Sequence, residues 1–432
     1  MKTLKILLVS PTTIRFDATT HYWQAEFAAV VAYLRNRFPA ANIVAEPSGL
    51  VGAPGRTVVR HLVHEPDFVL FWSRVWEAPA TKELAELCRE LCPRSRILVW
   101  GDAPLFMPQY FARHPFNGVV TSGDPELVLA DAIEAYLAGG RPEHGMTTIN
   151  PDGMHDSKPG RWLDPADWPF PASDVIPFEE YAVARELRGK PTNDLSFDVS
   201  RGCLIGCPWC VDPIKGGRAD RRRPVRATVE YMRKARGSYD QFQLHGPIFT
   251  QDRAWLNEFV REMRTTGASV SFKAVTLIRH LSDEAMVADL ASVGLKAIGF
   301  GIETLTHSGH RLTSKLPAET ELKNIARILQ SYDVEGKAYT QIGLPGQCRE
   351  DVLHTHARMQ EFGFTVRPTG ATPFQQLRQL SVEQLDELDL GKWDRKSFYN
   401  PACGLSRLEF FRLLINPQSF PADELLYERE AA

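Results

Sequence analysis

The sequence contains no long hydrophobic run. No stretch approaches the roughly 18 consecutive apolar residues that a membrane-spanning helix needs. Near the N-terminus only residues 6–9 are consecutively apolar, whereas a secretory signal peptide needs an apolar stretch of about 7–15 residues. We therefore expect no membrane association and no signal peptide, and we expect residues 6–9 to form the first strand of a cytoplasmic protein.

The chain also lacks a large net charge and a cysteine pattern typical of disulfides. Its 50 basic and 53 acidic residues give a net charge of −3, which argues against the broad basic surface of a nucleic-acid-binding protein. The seven cysteines are an odd number, and three of them fall within eight residues. In a reducing compartment such a cluster indicates metal binding or catalysis rather than disulfide bonds.

Residues 1–140 alternate short apolar runs with amphipathic helical patterns. This alternation predicts a doubly wound, Rossmann-like α/β domain with a parallel sheet, in which ligands bind at the carboxyl ends of the strands. The predicted strands are residues 6–9, 68–72, 97–100 and 118–121, and the predicted helices are residues 25–38, 81–91 and 127–137.

The remainder of the chain divides into three parts. Residues 141–194 are rich in proline and glycine and predict a linker. A second alternating array in residues 195–375 predicts a partial β/α, TIM-like barrel. The polar residues 376–432 predict a small, mainly helical C-terminal region or lid. In the second array the predicted strands are residues 195–199, 241–244, 269–274, 297–302 and 336–342, and the predicted helices are residues 255–265, 283–292 and 319–332.

The clustered cysteines follow the first strand of this second array, in Ser200-Arg-Gly-Cys203-Leu-Ile-Gly-Cys207-Pro-Trp-Cys210. Three thiolates on one loop can bind a single iron–sulfur cluster, for which soft thiolates are the natural ligands. Three ligands rather than four leave one iron open for reaction. The alternative is a structural zinc site that takes a fourth ligand such as His245, although zinc loops more often contain paired Cys-x2-Cys elements.

This cysteine motif, with an aromatic residue before its last cysteine, resembles the signature of the radical S-adenosylmethionine (SAM) superfamily. Three later motifs follow in the order and spacing of that superfamily: Phe249-Thr-Gln-Asp252, Gly299-Phe-Gly-Ile-Glu303 and Gly343-Leu-Pro-Gly346. Together with Ser-Arg-Gly-Cys after a proline-rich linker, they resemble the subgroup that has an N-terminal cobalamin-binding domain. The resemblance covers roughly residues 1–375.

The resemblance implies that Cys203, Cys207 and Cys210 are catalytic and ligate a 4Fe-4S cluster whose fourth iron binds SAM. Arg279 would pair with the SAM carboxylate, for which a guanidinium is suited, and Glu303 would contact the ribose or methionine. Further SAM-binding residues would be Trp209, against the adenine, Gln243 or His245, at the amino group, and Gly343 and Pro345, in a turn that the adenine approaches closely.

The first domain carries a second part of the resemblance. Trp100-Gly-Asp-Ala-Pro104 and Val119-Val-Thr-Ser-Gly-Asp-Pro-Glu126 resemble the Gly-Gly-Pro and Gly-Glu-x-Glu elements of the subgroup. The family's second Gly is Asp102 here, which puts a charge where the cobalamin tail should pass. Arg74, between Trp72 and Trp76, is placed to meet the lower face of the cobalt. The cobalamin-binding residues that the resemblance implies are Thr12, Ser73, Arg74, Gly101, Asp102, Pro104, Ser122 and Gly123.

The resemblance therefore implies a cobalamin-dependent C-methyltransferase. A 5′-deoxyadenosyl radical would abstract hydrogen from an unactivated carbon of a small molecule, such as a specialised metabolite, and cobalamin would supply the methyl group. An external flavodoxin- or ferredoxin-type protein would donate electrons, and we expect a monomer with no nucleic-acid or membrane partner. The alternatives are a radical dehydratase, epimerase or rearrangement enzyme that transfers no methyl group, and, from a different class, a non-catalytic iron–sulfur redox protein.

The segment Arg218-Ala-Asp-Arg-Arg-Arg-Pro-Val-Arg226 is strongly basic. Such a run can bind phosphate or nucleic acid, but this one lacks interleaved aromatic residues. We therefore predict a solvated face.

Overall fold

A computed structural model describes residues 3–11, 22–47, 54–150, 153–176, 194–207, 209–268, 270–306 and 318–415. The chain divides into two compact units. The first comprises Met1–Pro224, Gly237–Gln243 and Phe374–Trp393, and the second comprises Val225–Arg236, Leu244–Pro373 and Asp394–Ala432.

The first unit contains a seven-stranded sheet in the order β2-β1-β3-β4-β5-β6-β7. The first five strands are parallel, and the last two join antiparallel at the edge. Its central strand β3 is apolar and buried throughout, and so is β4 after its first residue, Arg96, as expected where helices cover both faces of a parallel sheet. The strands are β1 Lys5–Val9, β2 Asn42–Glu46, β3 Phe68–Trp72, β4 Arg96–Trp100, β5 Gly118–Val120, β6 Met146–Asn150 and β7 Gly153–Asp156.

Helices alternate with these strands in the described part of the chain, as expected for a doubly wound domain. Phe27 of the first helix stacks on Trp100 of β4, with 6.1 Å between ring centroids, so the helix is held by aromatic packing against the sheet. The helices are α1 Tyr22–Arg37, α2 Pro54–Leu62, α3 Ala78–Leu91, α4 Asp102–Phe106, α5 Pro108–Phe111 and α6 Pro125–Leu137.

All four strands predicted in this region are present, but three others are not apparent from the sequence. Strand β2 is an edge strand whose residues are at most partly buried, and its apolar run of three residues, 43–45, is shorter than those by which the central strands are found. The pair β6–β7 lies within the predicted linker 141–194, and β7 is mostly exposed. This part of the linker is thus an ordered edge of the first sheet.

A six-stranded sheet has the order β15-β14-β13-β12-β11-β8. Strands β12 to β15, which lie in the second unit, are parallel to one another, and helices alternate with them along the chain as in a partial β/α barrel. The strands are β8 Asp194–Asp198, β11 Gln241–His245, β12 Ser271–Thr276, β13 Leu295–Glu303, β14 Glu335–Ile342 and β15 Thr365–Gly370, and a separate two-stranded ribbon pairs β9 Ser200–Arg201 with β10 Arg221–Arg222.

Two of the helices between these strands begin at aspartate caps. Asp252 and Asp283 accept hydrogen bonds from the backbone N atoms of Trp255 (3.0 Å) and Met286 (2.9 Å), respectively. Their predicted helices are present, whereas α8 and α12 were not predicted. The helices are α7 Asp212–Lys215, α8 Val225–Ala235, α9 Arg253–Thr266, α10 Glu284–Ser292, α11 Glu319–Ser331 and α12 Arg349–Glu361.

The predicted C-terminal region 376–432 contains the expected helices, but it does not form one body. Helix α13 Val382–Glu387 and two 3₁₀ turns, Phe374–Gln379 and Leu390–Lys392, belong to the first unit, whereas α14 Arg407–Ile415 belongs to the second. Within the first unit, the Gln109 side chain donates to the carbonyl groups of Leu377 and Leu380, each at 3.0 Å. The described residues include no helix that is both long and apolar enough to span a membrane.

A buried histidine on α12 makes the stability of the second unit depend on pH. His356 is 3% exposed and its Nε2 lies 3.0 Å from Thr340 Oγ1. Burial lowers the pKa of His356 from 6.5 to about 4. Below pH 6.5 the unfolded chain binds a proton that the native chain does not, so the free energy of unfolding decreases as the pH falls, by up to about 1.4 kcal/mol per pH unit until about pH 4.

We expect His356→Gln to flatten this acid-side loss of stability. The measurement is the thermal unfolding midpoint between pH 7 and pH 4.5, taken anaerobically. His354→Gln is the matched control, because His354 is exposed on the same helix. Equal slopes in the wild type and in His356→Gln would show that His356 does not contribute.

Candidate functional site

The cysteine loop, residues 203–210, is closed by backbone contacts at its base. Cys203 N donates to Gly217 O at 3.1 Å. Gly202, immediately before it, has φ +82°, and a Cβ atom there would lie 2.2 Å from Ala219 O. Only glycine fits this close approach of two backbone segments, which explains the Arg-Gly-Cys sequence before the loop.

The three thiols of the loop fit an iron–sulfur cluster by their chemistry. Cys203 and Cys207 are buried, and Cys210 is partly buried. The Cys210 thiol donates to Asp212 Oδ2 at 3.4 Å. Among the described residues, no three His, Cys, Asp or Glu side chains are gathered as ligands of one metal ion. The ligands of a cluster bind different iron atoms and need not converge on one point, so the donor set, three soft thiolates on one closed loop, is compatible with a cluster.

Buried ion pairs hold both flanks of the cysteine loop. Before the loop, Arg201 contacts Glu126 at 2.8 Å, Asp198 at 2.9 Å and Asp124 at 3.4 Å. After the loop, Arg221 contacts both carboxylate oxygens of Asp124, at 2.7 and 3.0 Å. We call these five residues the arginine–carboxylate network. Burial alone would lower the pKa of Arg201, but the three carboxylates raise it well above its usual value.

The prediction of a solvated face for the basic run 218–226 is wrong at its centre. Arg223 is 2% exposed and donates to the carbonyl groups of Trp168 (2.6 Å) and Pro169 (3.0 Å). Arg221 lies over the ring of Trp162, 4.5 Å from its centroid. Both guanidinium groups contact the segment that precedes β8, within the first unit. Of the five arginines in the run, Arg218 and Arg226 are exposed.

Five of the predicted cobalamin-binding residues lie at the carboxyl ends of β3 and β4. Gly101 has φ +113°, and a Cβ atom there would lie 2.5 Å from Ser73 O. Arg74 is buried between the rings of Trp72 and Trp76, 4.9 and 4.7 Å from their centroids, and its guanidinium contacts Glu77 at 2.6 Å. The five are Ser73, Arg74, Gly101, Asp102 and Pro104, and all are buried.

The remaining three predicted cobalamin-binding residues are placed differently. Ser122 Oγ accepts a hydrogen bond from Gly160 N at 2.8 Å. Gly123 has φ +88°, and a Cβ atom there would lie 2.8 Å from Arg161 O. These two residues therefore face the segment at 160–161. Thr12 lies outside the described residues.

In the second unit, predicted SAM-binding residues follow the carboxyl ends of parallel strands. His245 ends β11, Arg279 follows β12, and Glu303 ends β13. Glu303 has φ +56° at a β-bulge, a conformation that is uncommon outside glycine and is often found at functional sites. Arg279 is exposed, whereas His245 and Glu303 are partly buried. Gln243 and Trp209, both partly buried, belong to the first unit.

The turn after β14 is built around a residue that the sequence did not single out. The buried side chain of Gln347 accepts hydrogen bonds from the backbone N atoms of Gly343 (2.8 Å) and Leu344 (3.2 Å). A Cβ atom at Gly343, which has φ +90°, would lie 2.8 Å from the ring of Phe410. Pro345, by contrast, is exposed at the tip of this turn.

A second polar cluster that the sequence did not predict lies beside Arg279. The Thr250 hydroxyl contacts the hydroxyl of Thr276 and lies 2.7 Å from His280 Nδ1. Burial, and to a lesser degree Arg253, lower the pKa of His280, so its ring stays neutral near pH 7 and can exchange hydrogen bonds with the hydroxyls. Thr250 belongs to the motif at 249–252 and His280 directly follows the predicted Arg279, which is the signal by which they could have been found.

Comparison with known protein families gives a match for the second alternating array, which the sequence predicts at residues 195–375. Residues 197–359 match the sequence model of the Radical SAM superfamily. An uncharacterized methyltransferase of Pyrococcus horikoshii is 20% identical over 365 residues, which are 82% of this chain and 77% of that protein. The cytidylyl-2-hydroxyethylphosphonate methyltransferase of Streptomyces wedmorensis is 23% identical over 287 residues, and this match spans 63% of the chain but only 52% of that protein.

Two solved structures have the same fold over most of the chain. The radical SAM methyltransferase TsrM from Kitasatospora setae, solved with cobalamin and a 4Fe-4S cluster bound, has a TM-score of 0.68 at 16% identity, covering 87% of this chain and 77% of TsrM. The cobalamin-dependent SAM radical enzyme OxsB has a TM-score of 0.68 at 15% identity, covering 99% of this chain and 61% of OxsB. The chain is therefore an α/β protein with a radical SAM domain, and it resembles radical SAM methyltransferases.

Proposed function

We propose that this radical SAM protein is a cobalamin-dependent enzyme that methylates an unactivated carbon of a small molecule. The observation that carries the proposal is that the cysteine loop and the seven-stranded sheet belong to one compact unit. The arginine–carboxylate network supports it, since it ties both flanks of the loop to Asp124 and Glu126 at the start of α6. The methyltransferase names of both relatives agree with it.

Each group of candidate residues would have a separate task. Cys203, Cys207 and Cys210 would hold the cluster, and the strand-end residues His245, Arg279 and Glu303 would contact SAM. Ser73, Gly101 and Pro104 would form the surface for the corrin. When bound, the cluster would supply the electron that cleaves SAM, and cobalamin would supply the methyl group. The electron would come from an external flavodoxin- or ferredoxin-type donor.

For the protein, the main chemical requirement is to position the substrate and to exclude water, because the cofactors carry the difficult chemistry. Gly343 and Leu344 direct their backbone N atoms at Gln347, so the turn keeps its shape without using a ligand. The neutral ring of His280 and the hydroxyls of Thr250 and Thr276 offer hydrogen-bonding groups but no net charge. These groups suit a neutral polar part of SAM or substrate.

A second candidate is a radical SAM enzyme that transfers no methyl group. The buried guanidinium of Arg74 favours it, because this group is stacked between two tryptophans and paired with Glu77. In this reading the first sheet is a retained scaffold, and the radical leads to dehydration, epimerisation or rearrangement.

Anaerobic reconstitution with iron, sulfide and SAM, with and without hydroxocobalamin, separates the two candidates. We expect near-stoichiometric corrin to remain bound after gel filtration. The corrin site is tested with Gly101→Ala, because a Cβ atom there would lie 2.5 Å from Ser73 O. It should weaken corrin binding by about tenfold or more, with iron content unchanged. Gly139→Ala is the matched control, since Gly139 also has positive φ (+76°) but has no atom within 4 Å of the added Cβ.

Two outcomes would contradict the expected corrin binding. SAM cleavage at a normal rate with no bound corrin would reject methyl transfer and support the second candidate. Equal corrin affinity in Gly101→Ala and Gly139→Ala would place the corrin elsewhere.

A further inference from the structure

The side chain of Lys215 lies between two carboxylates from different elements of the first unit. Its Nζ is ion-paired with Glu26 of α1 and lies 3.5 Å from Asp102 Oδ1, at the first residue of α4. The side chains of Lys215, Glu26 and Asp102 are 24%, 12% and 11% exposed. A cation with two carboxylate partners at this depth is screened little by solvent, so these contacts are stronger than surface ion pairs.

Lys215 belongs to the segment that completes the cysteine loop. Helix α7, Asp212–Lys215, begins two residues after Cys210, whose thiol donates to Asp212 Oδ2 at 3.4 Å. Two residues beyond Lys215, Gly217 O accepts the hydrogen bond from Cys203 N that closes the loop. Cys203 is thus bonded through its backbone to the segment 212–217, which begins two residues after Cys210, and Lys215 is the basic side chain of that segment.

Backbone contacts next to Asp102 fix its position in the fold. At Gly101, directly after the carboxyl end of β4, the backbone passes close to Ser73, and Ala103 N donates a hydrogen bond to Ser73 O at 3.0 Å. The start of α4 is thereby held at the strand ends, where the buried Asp102 has its Oδ1 3.5 Å from Lys215 Nζ. Burial raises the pKa of Glu26, and Lys215 opposes that rise. Without Lys215 two neighbouring buried carboxyl groups would remain.

We propose that Lys215, with Asp102 and Glu26, is a positioning group that fixes the cysteine loop against the carboxyl ends of β3 and β4. Asp102 then serves the loop, and its charge is neutralised by Lys215 instead of facing a corrin. This inference rests on the proposed function, since it assumes that the loop holds a cluster.

The test compares Lys215→Met with Lys215→Arg and Asp102→Asn in the full chain, reconstituted with iron, sulfide, SAM and hydroxocobalamin. We expect Lys215→Met and Asp102→Asn to lower the rate of SAM cleavage by about tenfold or more, in the range found when groups that orient metal ligands are removed. The EPR spectrum of the reduced cluster should change its response to SAM in both variants. Lys215→Arg should restore both properties, because it keeps the charge.

Two further measurements make the test specific. Hydroxocobalamin affinity should stay within about threefold of the wild type in Asp102→Asn. The double variant Lys215→Met/Asp102→Asn should cleave SAM no more slowly than Lys215→Met alone, because both substitutions break the same Lys215–Asp102 ion pair. Lys158→Met is the control, since the Lys158 side chain forms an exposed ion pair with Glu143, and thermal unfolding shows whether each variant is folded.

Several outcomes overturn the inference. If Asp102→Asn loses tenfold or more in corrin affinity with unchanged SAM cleavage and EPR, Asp102 acts on the corrin. If Lys215→Met behaves like Lys158→Met, or if Lys215→Arg restores nothing, the ion pair does not position the loop. A wild-type chain that holds no cluster rejects the proposed function and this inference together, whereas a normal wild type with an unaffected Lys215→Met rejects the inference alone.

Discussion

Replacing Cys203, Cys207 or Cys210 singly by alanine is expected to remove the iron–sulfur cluster and to reduce SAM cleavage to background. Each replacement leaves two thiols on a loop that has three. Clusters of this type are held by cysteine thiolates, and an open iron already lacks a protein ligand. If a second iron also lacked a protein ligand, the cluster would dissociate from the loop. Because the proposed cluster would supply the electron for SAM cleavage, no partial activity should remain.

The measurements are iron content, visible absorbance after anaerobic reconstitution, and release of 5′-deoxyadenosine. Cys88→Ala is the control within the same unit. Cys88 is fully buried in α3, and burial raises the pKa of its thiol to about 12, so it stays protonated and is a poor metal ligand. A variant of the cysteine loop that keeps its full iron content, or a Cys88→Ala variant that loses it, would contradict the assignment.

The elements that could be predicted from the sequence share one physical property, continuous burial. Strands β3 and β4 are buried along nearly their whole length, and so they appear as apolar runs. Strands β2 and β7 lie at the edges of the first sheet, where no residue of either strand is fully buried. The apolar run of β2 is only three residues long (43–45), β7 has none, and neither strand was predicted.

Helix α12 was missed for a related reason. Its buried face consists of Val352, Thr355, His356 and Met359. Two of these four are polar, since Thr355 Oγ1 accepts from Leu305 N at 3.1 Å and His356 contacts Thr340. A helix that buries hydrogen-bonded polar groups shows little hydrophobic periodicity, so only the structure reveals it.

The candidate site was predictable in its motifs but not in its charges. The cysteines and Glu303 are found by spacing and by position at strand ends. The role of the basic run was not predictable, because Asp124, the carboxylate partner of Arg221, lies 97 residues earlier in the chain. Such pairing depends on tertiary structure, which a count of charges cannot reveal. The same holds for Asp102, whose partner Lys215 is similarly distant.

Asp124→Ala is expected to cause the largest loss of stability among single changes outside the cysteine loop. The Asp124 side chain is 2% exposed; it contacts both Nη atoms of Arg221, and it accepts a hydrogen bond from Leu163 N at 2.9 Å. Its removal leaves the guanidinium of Arg221 largely buried without this carboxylate. Breaking a buried ion pair in this way costs about 3–5 kcal/mol, which corresponds to a fall of roughly 6–20 °C in the melting temperature of a unit of this size.

The matched control is Asp131→Ala on the same helix. Asp131 pairs with Arg161, whose side chain is 56% exposed, and surface pairs of this kind contribute about 1 kcal/mol or less. Because the arginine–carboxylate network holds both flanks of the cysteine loop, Asp124→Ala should also lower iron content after reconstitution, whereas Asp131→Ala should not. Similar melting temperatures in the two variants would show that the network contributes little to stability. A large loss of stability with full iron content would show that it supports the first unit but does not position the loop.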